Sequence, residues 1–228
     1  NIRLASQEIA KKNAASTGRP FIRGIVISSC GSTGRVSESV ARLSRLVEMD
    51  IFDFVFCFAG VSTVDSIVVP ALSRFVENVF VYDMGLWAAL ERSFGEDKHA
   101  LNTTPVMLSF AEFSKRPDDT RDRVVNTRVL AYSNFKDARP WGFDIYRCSN
   151  PTCGAHAHDM IFHADGRQYY GIRWLEAKMK TTCMKCQQTR RKIAAPSWIH
   201  SCRAENIGRC WYQWPLTLAQ RMDLGITH

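Results

Sequence analysis

The spacing of apolar residues changes several times along the chain, and each change predicts an element. Residues 24–29, Gly-Ile-Val-Ile-Ser-Ser, form a short β-branched run that reads as a buried strand. It leads into a turn at 30–34, Cys-Gly-Ser-Thr-Gly. From 36 to 49, Val36, Val40, Leu43 and Val47 recur at helical spacing. The apolar run at 52–58, interrupted only by Asp53, is the pattern of a strand covered on both faces. A helix is predicted over 62–80, kinked or restarted at Pro70, another over 84–94, and a third strand over 104–110. Residues 115–123 are strongly charged and predict an exposed loop, after which 124–132 is a further strand leading to Pro140-Trp141-Gly142. A possible helix over 5–15 belongs to a polar lead-in at 1–20.

Strand–helix–strand alternation predicts an α/β domain over 21–138, built on a small, mainly parallel sheet. Beyond that boundary aromatics and cysteines concentrate and helical periodicity stops, so 139–228 is expected to be a β-rich module.

The cysteines give that module its chemistry. Of eight in the chain, Cys30 and Cys57 sit alone in apolar surroundings and the other six lie between Cys148 and Cys210. Cys148 and Cys153 form one close pair, with proline and glycine nearby as turn residues, and Cys183 and Cys186 form another. Close pairing lets a tight turn aim two thiolates at one tetrahedral ion while its amides donate to the sulfurs. Between the pairs, 158–163 and 168–179 flank Asp165-Gly166, a hairpin signal. Knuckle, hairpin, knuckle resembles the zinc-ribbon motif class over about 146–188. The resemblance implies one structural zinc ion held by Cys148, Cys153, Cys183 and Cys186, with no open coordination position for catalysis. The four-residue gap in the first pair leaves His156 or His158 open as a substitute ligand. Cys202, Cys210, His200, His163 and the nearby His156 and His158 are candidates for a second site, although their spacing fits no common pattern.

Hydrophobic residues make up 46% of the 228 positions, enough for a buried core, so global disorder is excluded. Residues 1–23 lack the apolar stretch of a signal peptide, and the most apolar run, 51–61, is far shorter than the roughly 20 residues of a membrane span. An intracellular protein, nuclear or cytoplasmic, with reduced thiols and no membrane partner is expected. The first residue is Asn1 rather than Met, so protein partners or an upstream domain are also expected. Charge is uneven: of the net +8, residues 148–228 supply +6. A basic excess around a metal module points to an anionic partner.

Three segments carry candidate chemistry. The turn at Cys30 joins a strand to a helix, where glycines and a helix N-terminus favour anions, and where Arg35 and the dipole would activate Cys30. It resembles the phosphate loop of cysteine phosphatases, but only four residues separate Cys30 from Arg35 where that family has five. Cys30 is also a candidate thiol-protease nucleophile, given a histidine base. Glu176-Ala177-Lys178 resembles the Glu-x-Lys half of restriction-endonuclease-like nucleases; Glu176 and Lys178 would share a strand face and hold a metal and water, with Asp144 or Asp165 as the further acid. His163-Ala164-Asp165 resembles the start of an iron-dioxygenase facial triad.

Around the second knuckle lie Lys178, Lys180, Lys185, Arg190, Arg191 and Lys192, with Trp174, Trp198, Trp211, Tyr212 and Trp214 in the same module. Cations grip phosphates and exposed aromatics stack on bases. The expected function is therefore DNA or RNA binding by a zinc-stabilised module. The alternatives are a metal-dependent nuclease and a protein-interaction scaffold.

Overall fold

The protein is described by a computed structural model covering residues 22–28, 33–60, 63–115, 121–134, 138–142, 146–165, 178–202 and 208–224. The expected helix at 5–15, Cys30, Asp144, Trp174 and Glu176 lie outside the described residues. The chain divides into two compact units, 1–129 with 213–215, and 130–212 with 216–228.

The first unit opens with β1 (Gly24–Ile27), α1 (Ser37–Glu48) and β2 (Phe54–Phe58). β1 and β2 pair in parallel, with Gly24 opposite Phe54 and Ile27 opposite Cys57. α1 buries Val40 and Val47, as its apolar spacing predicted, together with Ser44, whereas Val36 precedes the helix and is exposed and Leu43 is half-buried. Every residue of β2 is buried. Its even-numbered side chains build an aromatic core with the helices that follow, α2 (Asp65–Phe80) and α3 (Leu86–Ser93). Phe56 lies 5.5 Å from the ring centres of both Phe75 and Phe94, and 5.2 Å from that of Phe58. Burial pushes the thiol of Cys57 up to about 12, so it behaves as a small apolar residue.

α2 runs through Pro70 without restarting. Pro70 and Ser66 are both exposed, so water can take the carbonyl that the missing N–H leaves free. A short helix, α4 (Lys98–Thr103), occupies a stretch that its polarity marks only as connection. Asp97 starts it by accepting the amide of Ala100 at 3.0 Å.

β3 (Val106–Lys115) returns antiparallel to β2, with Phe58 opposite Val106 and Phe54 opposite Phe110. β4 (Arg121–Tyr132) lies beside β3, so the order in this unit is β1-β2-β3-β4. The expected mainly parallel sheet is therefore a mixed one: β1 and β2 make a parallel pair and β3 reverses the direction. A continuous apolar run records burial on two faces but carries no sign of strand direction. The β2-to-β3 connection also holds three helices rather than a single crossover. The charged connection is shorter than predicted, since β3 extends to Lys115 and β4 begins at Arg121.

Two polar clusters tie this unit together. Ser44 of α1, Ser109 of β3 and Thr127 of β4 form a buried ring of hydroxyls at 2.8, 2.9 and 3.2 Å. At the entry to β1, Arg23 donates to Asp53 at 3.1 Å and to Asp50 at 2.6 Å, while Arg123 reaches Asp53 at 3.1 Å and the carbonyl of Phe52 at 2.8 Å.

In the second unit the end of β4, residues 130–132, is followed in sheet order by β9 (Arg209–Gln213) and β8 (His200–Ser201). A separate antiparallel sheet has the order β5-β6-β7, from Met160–Ala164, Met179–Cys183 and Thr189–Ile193. Phe162 packs its ring 5.3 Å from that of Tyr146, whose hydroxyl donates to Pro140 at 3.1 Å. A last helix, α5 (Leu218–Asp223), is started by a reciprocal capping box between Thr217 and Gln220. Among the described residues, no helix is long and apolar enough to cross a membrane.

Candidate metal centre

Cys148, Cys153, Cys183 and Cys186 come together in the second unit, their sulfurs all within 4.8 Å of one another. The Cys148–Cys186 sulfurs are 3.5 Å apart and the Cys153–Cys183 sulfurs 3.6 Å. A tetrahedral ion bonded to sulfur at about 2.3 Å, the zinc–thiolate length, sets its ligands about 3.8 Å apart. The two short separations fit such a site and are far beyond the roughly 2.0 Å of a disulfide.

The two knuckles are built alike despite their different lengths. In each, the amide of the first cysteine bonds the carbonyl two residues after the second: Cys148 to Ala155, and Cys183 to Gln188, both at 2.9 Å. The residue after each second cysteine is left-handed, Gly154 at φ +64° and Gln187 at φ +61°. The two additional residues of the first loop are absorbed by Asn150. Its carboxamide oxygen accepts the amide and hydroxyl of Thr152 at 3.1 and 2.8 Å, and its carbonyl accepts the amide of Cys153 at 3.0 Å. The four-residue gap therefore needs no histidine ligand, and His156 and His158 instead stack on each other with centres 6.0 Å apart.

Gly154 takes its left-handed geometry without steric cost, whereas Gln187 carries a side chain that disfavours it by roughly 1 kcal/mol. Gln187→Gly is expected to raise the stability of the metal-loaded chain by about 0.5–1 kcal/mol, and Gly154→Ala to lower it by about as much, read by denaturant titration. A Gln187→Gly variant less stable than the parent would contradict this.

Amide donors also set the thiol electrostatics. The N–H groups of Cys186 and Lys185 draw Cys183 down to about 7. Cys148, shielded from water and facing the other three sulfurs, is pushed up to about 12 although the amide of Asn150 donates to it at 3.4 Å. Without a cation the four thiols cannot all ionise; a divalent ion removes that repulsion.

The hairpin differs from the expected one. Ala164 pairs with Met179, and the amide of Asp165 bonds the carbonyl of Lys178 at 2.8 Å, so the connection spans 166–177, which lies outside the described residues, rather than a two-residue turn at Asp165-Gly166. The Asp-Gly signal was misread because the side chain of Asp165 has another task. Its carboxylate accepts the amide of Lys192 at 2.7 Å and the guanidinium of Arg191 at 3.0 Å, which holds its pKa below the usual range. Asp165 is thus committed to β7.

Lys178 is exposed directly before β6, and Lys180 is half-buried within it. Lys185, in the second knuckle, pairs with Asp159 at 2.7 Å, a residue that the sequence did not single out. Arg190, Arg191 and Lys192 lie on β7, which is exposed except at Ile193. The four-cysteine group is the one candidate metal cluster among the described residues. The proposed second site is not assembled: Cys210 is buried with its sulfur 3.2 Å from the carbonyl of Trp141, and His200 stacks on Trp211 with ring centres 4.2 Å apart. The aromatics are also less available than expected, since Tyr212 is buried and Trp198 packs edge-on against it.

No protein-family model, curated protein or solved structure matches this chain.

Proposed function

We propose that the second unit is a zinc-stabilised nucleic-acid-binding module that works inside a larger intracellular protein, nuclear or cytoplasmic. Four thiolates favour zinc over harder ions and close its coordination shell, so the ion serves the fold rather than catalysis. One observation carries the reading: the strand that follows the second knuckle is exposed and presents three successive cations, Arg190, Arg191 and Lys192. A cationic strand of this kind is suited to phosphate contacts through those of its cations that share a face with the neighbouring lysines, and the +6 charge of residues 148–228 supplies the long-range attraction.

Binding of labelled DNA or RNA by the zinc-loaded chain, followed by fluorescence anisotropy, is expected to be measurable at low salt and to weaken steeply as salt rises. Reversing Arg190, Arg191 and Lys192 together to Glu should weaken it at least tenfold with zinc content unchanged. Absence of binding to either nucleic acid at low salt removes the reading.

A further inference from the structure

The cations near the zinc site do not share one surface. Strand register sorts them onto the two faces of the β5-β6-β7 sheet. Phe162 of β5, Thr181 of β6 and Arg190 of β7 form one row across the sheet, and Ala164, Met179 and Ile193 form the next. Phe162, Met179, Thr181 and Cys183 are buried, so this is the inner face. Arg190 belongs to it, at the rim of a small cavity of about 30 Å³ whose walls include Trp141, Tyr146 and Asp223.

The other face is open. Its rows are Ile161, Thr182 and Thr189, then His163 and Lys180, then Asp165 and Lys178. Thr182 and Thr189 join their hydroxyls at 3.2 Å. Ile161, His163, Lys178 and Thr189 are exposed, and Lys180 lies in the middle of the central strand.

A β-bulge adds Arg191 to this face. Thr181 sits opposite Arg190 and Met179 opposite Ile193, so β7 has one more residue than β6 over the same span. Lys192 takes up the excess at φ +57°, with its amide held by Asp165. The same carboxylate holds the guanidinium of Arg191, which is still 67% exposed. The bulge and its acidic clamp thus direct Arg191 toward the face that carries Lys178 and Lys180.

Resting on the nucleic-acid reading above, we infer that the outer face of β5-β6-β7 is the contact surface, that its ligand is duplex nucleic acid, and that it reads the phosphate backbone rather than the bases. Three observations support the backbone mode. The face is cationic and hydroxyl-bearing, with Lys178, Lys180, Arg191, Thr182 and Thr189. Among the described residues it presents no Phe, Tyr or Trp, whereas single-strand binding draws on aromatic stacking platforms. A three-stranded sheet lying flat is also too wide for the roughly 12 Å major groove, which admits a helix or a two-stranded ribbon. Arg190, on the inner face, makes no phosphate contact, and neither does Lys185, which lies in the second knuckle rather than on the strands of this face. Asp165 acts as a positioning residue for Arg191.

The salt dependence of binding tests this, because its slope counts the phosphate contacts. The zinc-loaded full chain is titrated with fluorescent duplex DNA over a salt series, alongside Lys180→Ala, Arg191→Ala and Arg190→Ala. All three positions are outside the metal ligand set, and each variant is checked for unchanged zinc content and melting temperature. Lys180→Ala and Arg191→Ala should each lower the slope by about one and weaken binding about tenfold at low salt. Arg190→Ala should leave the slope unchanged, and two duplexes of unrelated sequence should bind within about threefold of each other. The inference is overturned if the slope falls as much for Arg190→Ala as for Lys180→Ala, if neither outer-face variant moves it, or if single-stranded DNA binds more tightly than duplex. In each of those outcomes binding itself persists, so the broader reading stands. Loss of all nucleic-acid binding by the parent chain removes both.

Discussion

If the four-cysteine site holds zinc as proposed, stripping the metal with a chelator is expected to unfold the second unit while the first stays folded. Structural zinc sites contribute apparent binding energies of about 10–16 kcal/mol in small zinc modules, comparable with or larger than the roughly 5–15 kcal/mol that separates a whole domain from its unfolded state. The knuckles have little else to hold them. Their loops are fastened by two or three backbone hydrogen bonds each, and three of the four ligands are only half-buried. The first unit has an independent aromatic core around Phe54, Phe56, Phe58, Phe75 and Phe94, all at most 1% exposed. Hydrogen exchange with and without chelator should therefore show protection lost at 146–165 and 178–202 and kept at 54–58 and 106–110. Cys183→Ser should reproduce the chelated pattern and lower the metal content from one zinc per chain. Metal uptake should release protons, because Cys148 titrates at about 12 and must lose its proton to bind. Affinity then falls as the pH falls, which calorimetry in buffers of different ionisation enthalpy will read. Unchanged exchange at 146–165 and 178–202 after complete removal of metal would defeat the structural role.

What could be read from the sequence was set by how local the cause is. α1 and β2 were legible because burial writes its period directly into 36–58, as Val40 and Val47 show on the helix and the unbroken run from Phe54 to Phe58 shows on the strand. The four cysteines were legible because paired spacing is a property of two adjacent turns. Strand direction was not, since Phe54 pairs with Gly24 on one side and Phe110 on the other whatever their polarity pattern. The role of Asp165 was hidden for the same reason. Beside Gly166 it has the local signature of a turn, but its partners Arg191 and Lys192 are 26 and 27 residues away. Gln187 gave no signal, because a left-handed residue other than glycine or asparagine is a choice made by the knuckle as a whole. The division of Arg190 from Arg191 across two faces depends on a single-residue bulge that no periodicity would reveal.

Asp53→Ala is expected to destabilise the first unit by about 3 kcal/mol, the low end of what removing one partner from a buried ion cluster costs. The carboxylate is 18% exposed and lies between Arg23, 15% exposed, and Arg123, 19% exposed. It takes the amide of Arg23 at 2.8 Å as well as both guanidinium groups, so its loss leaves a backbone donor unpaired and two shielded cations with Asp50 as their remaining carboxylate. By contrast, Arg42→Ala breaks an i, i+4 pair with Glu38 whose side chains are 79% and 74% exposed, and should cost no more than about 0.5 kcal/mol. The two variants thus separate a shielded cluster from a solvated pair in the same unit. The pH dependence follows from the direction of the shift. Burial alone would raise the pKa of Asp53, but the hydrogen bonds and charge of Arg23, together with Arg123, outweigh it and hold the group below its ordinary value. A depressed carboxyl contributes its full stability above the unfolded pKa of about 3.9 and loses it as the pH falls through the lower folded value. Thermal melts of the parent should therefore fall below about pH 4, and Asp53→Asn, which keeps the shape but cannot titrate, should start lower at neutral pH and lose less on acidification. A parent and an Asp53→Asn variant that lose stability in parallel between pH 5 and about 2 would assign the acid sensitivity to other carboxylates.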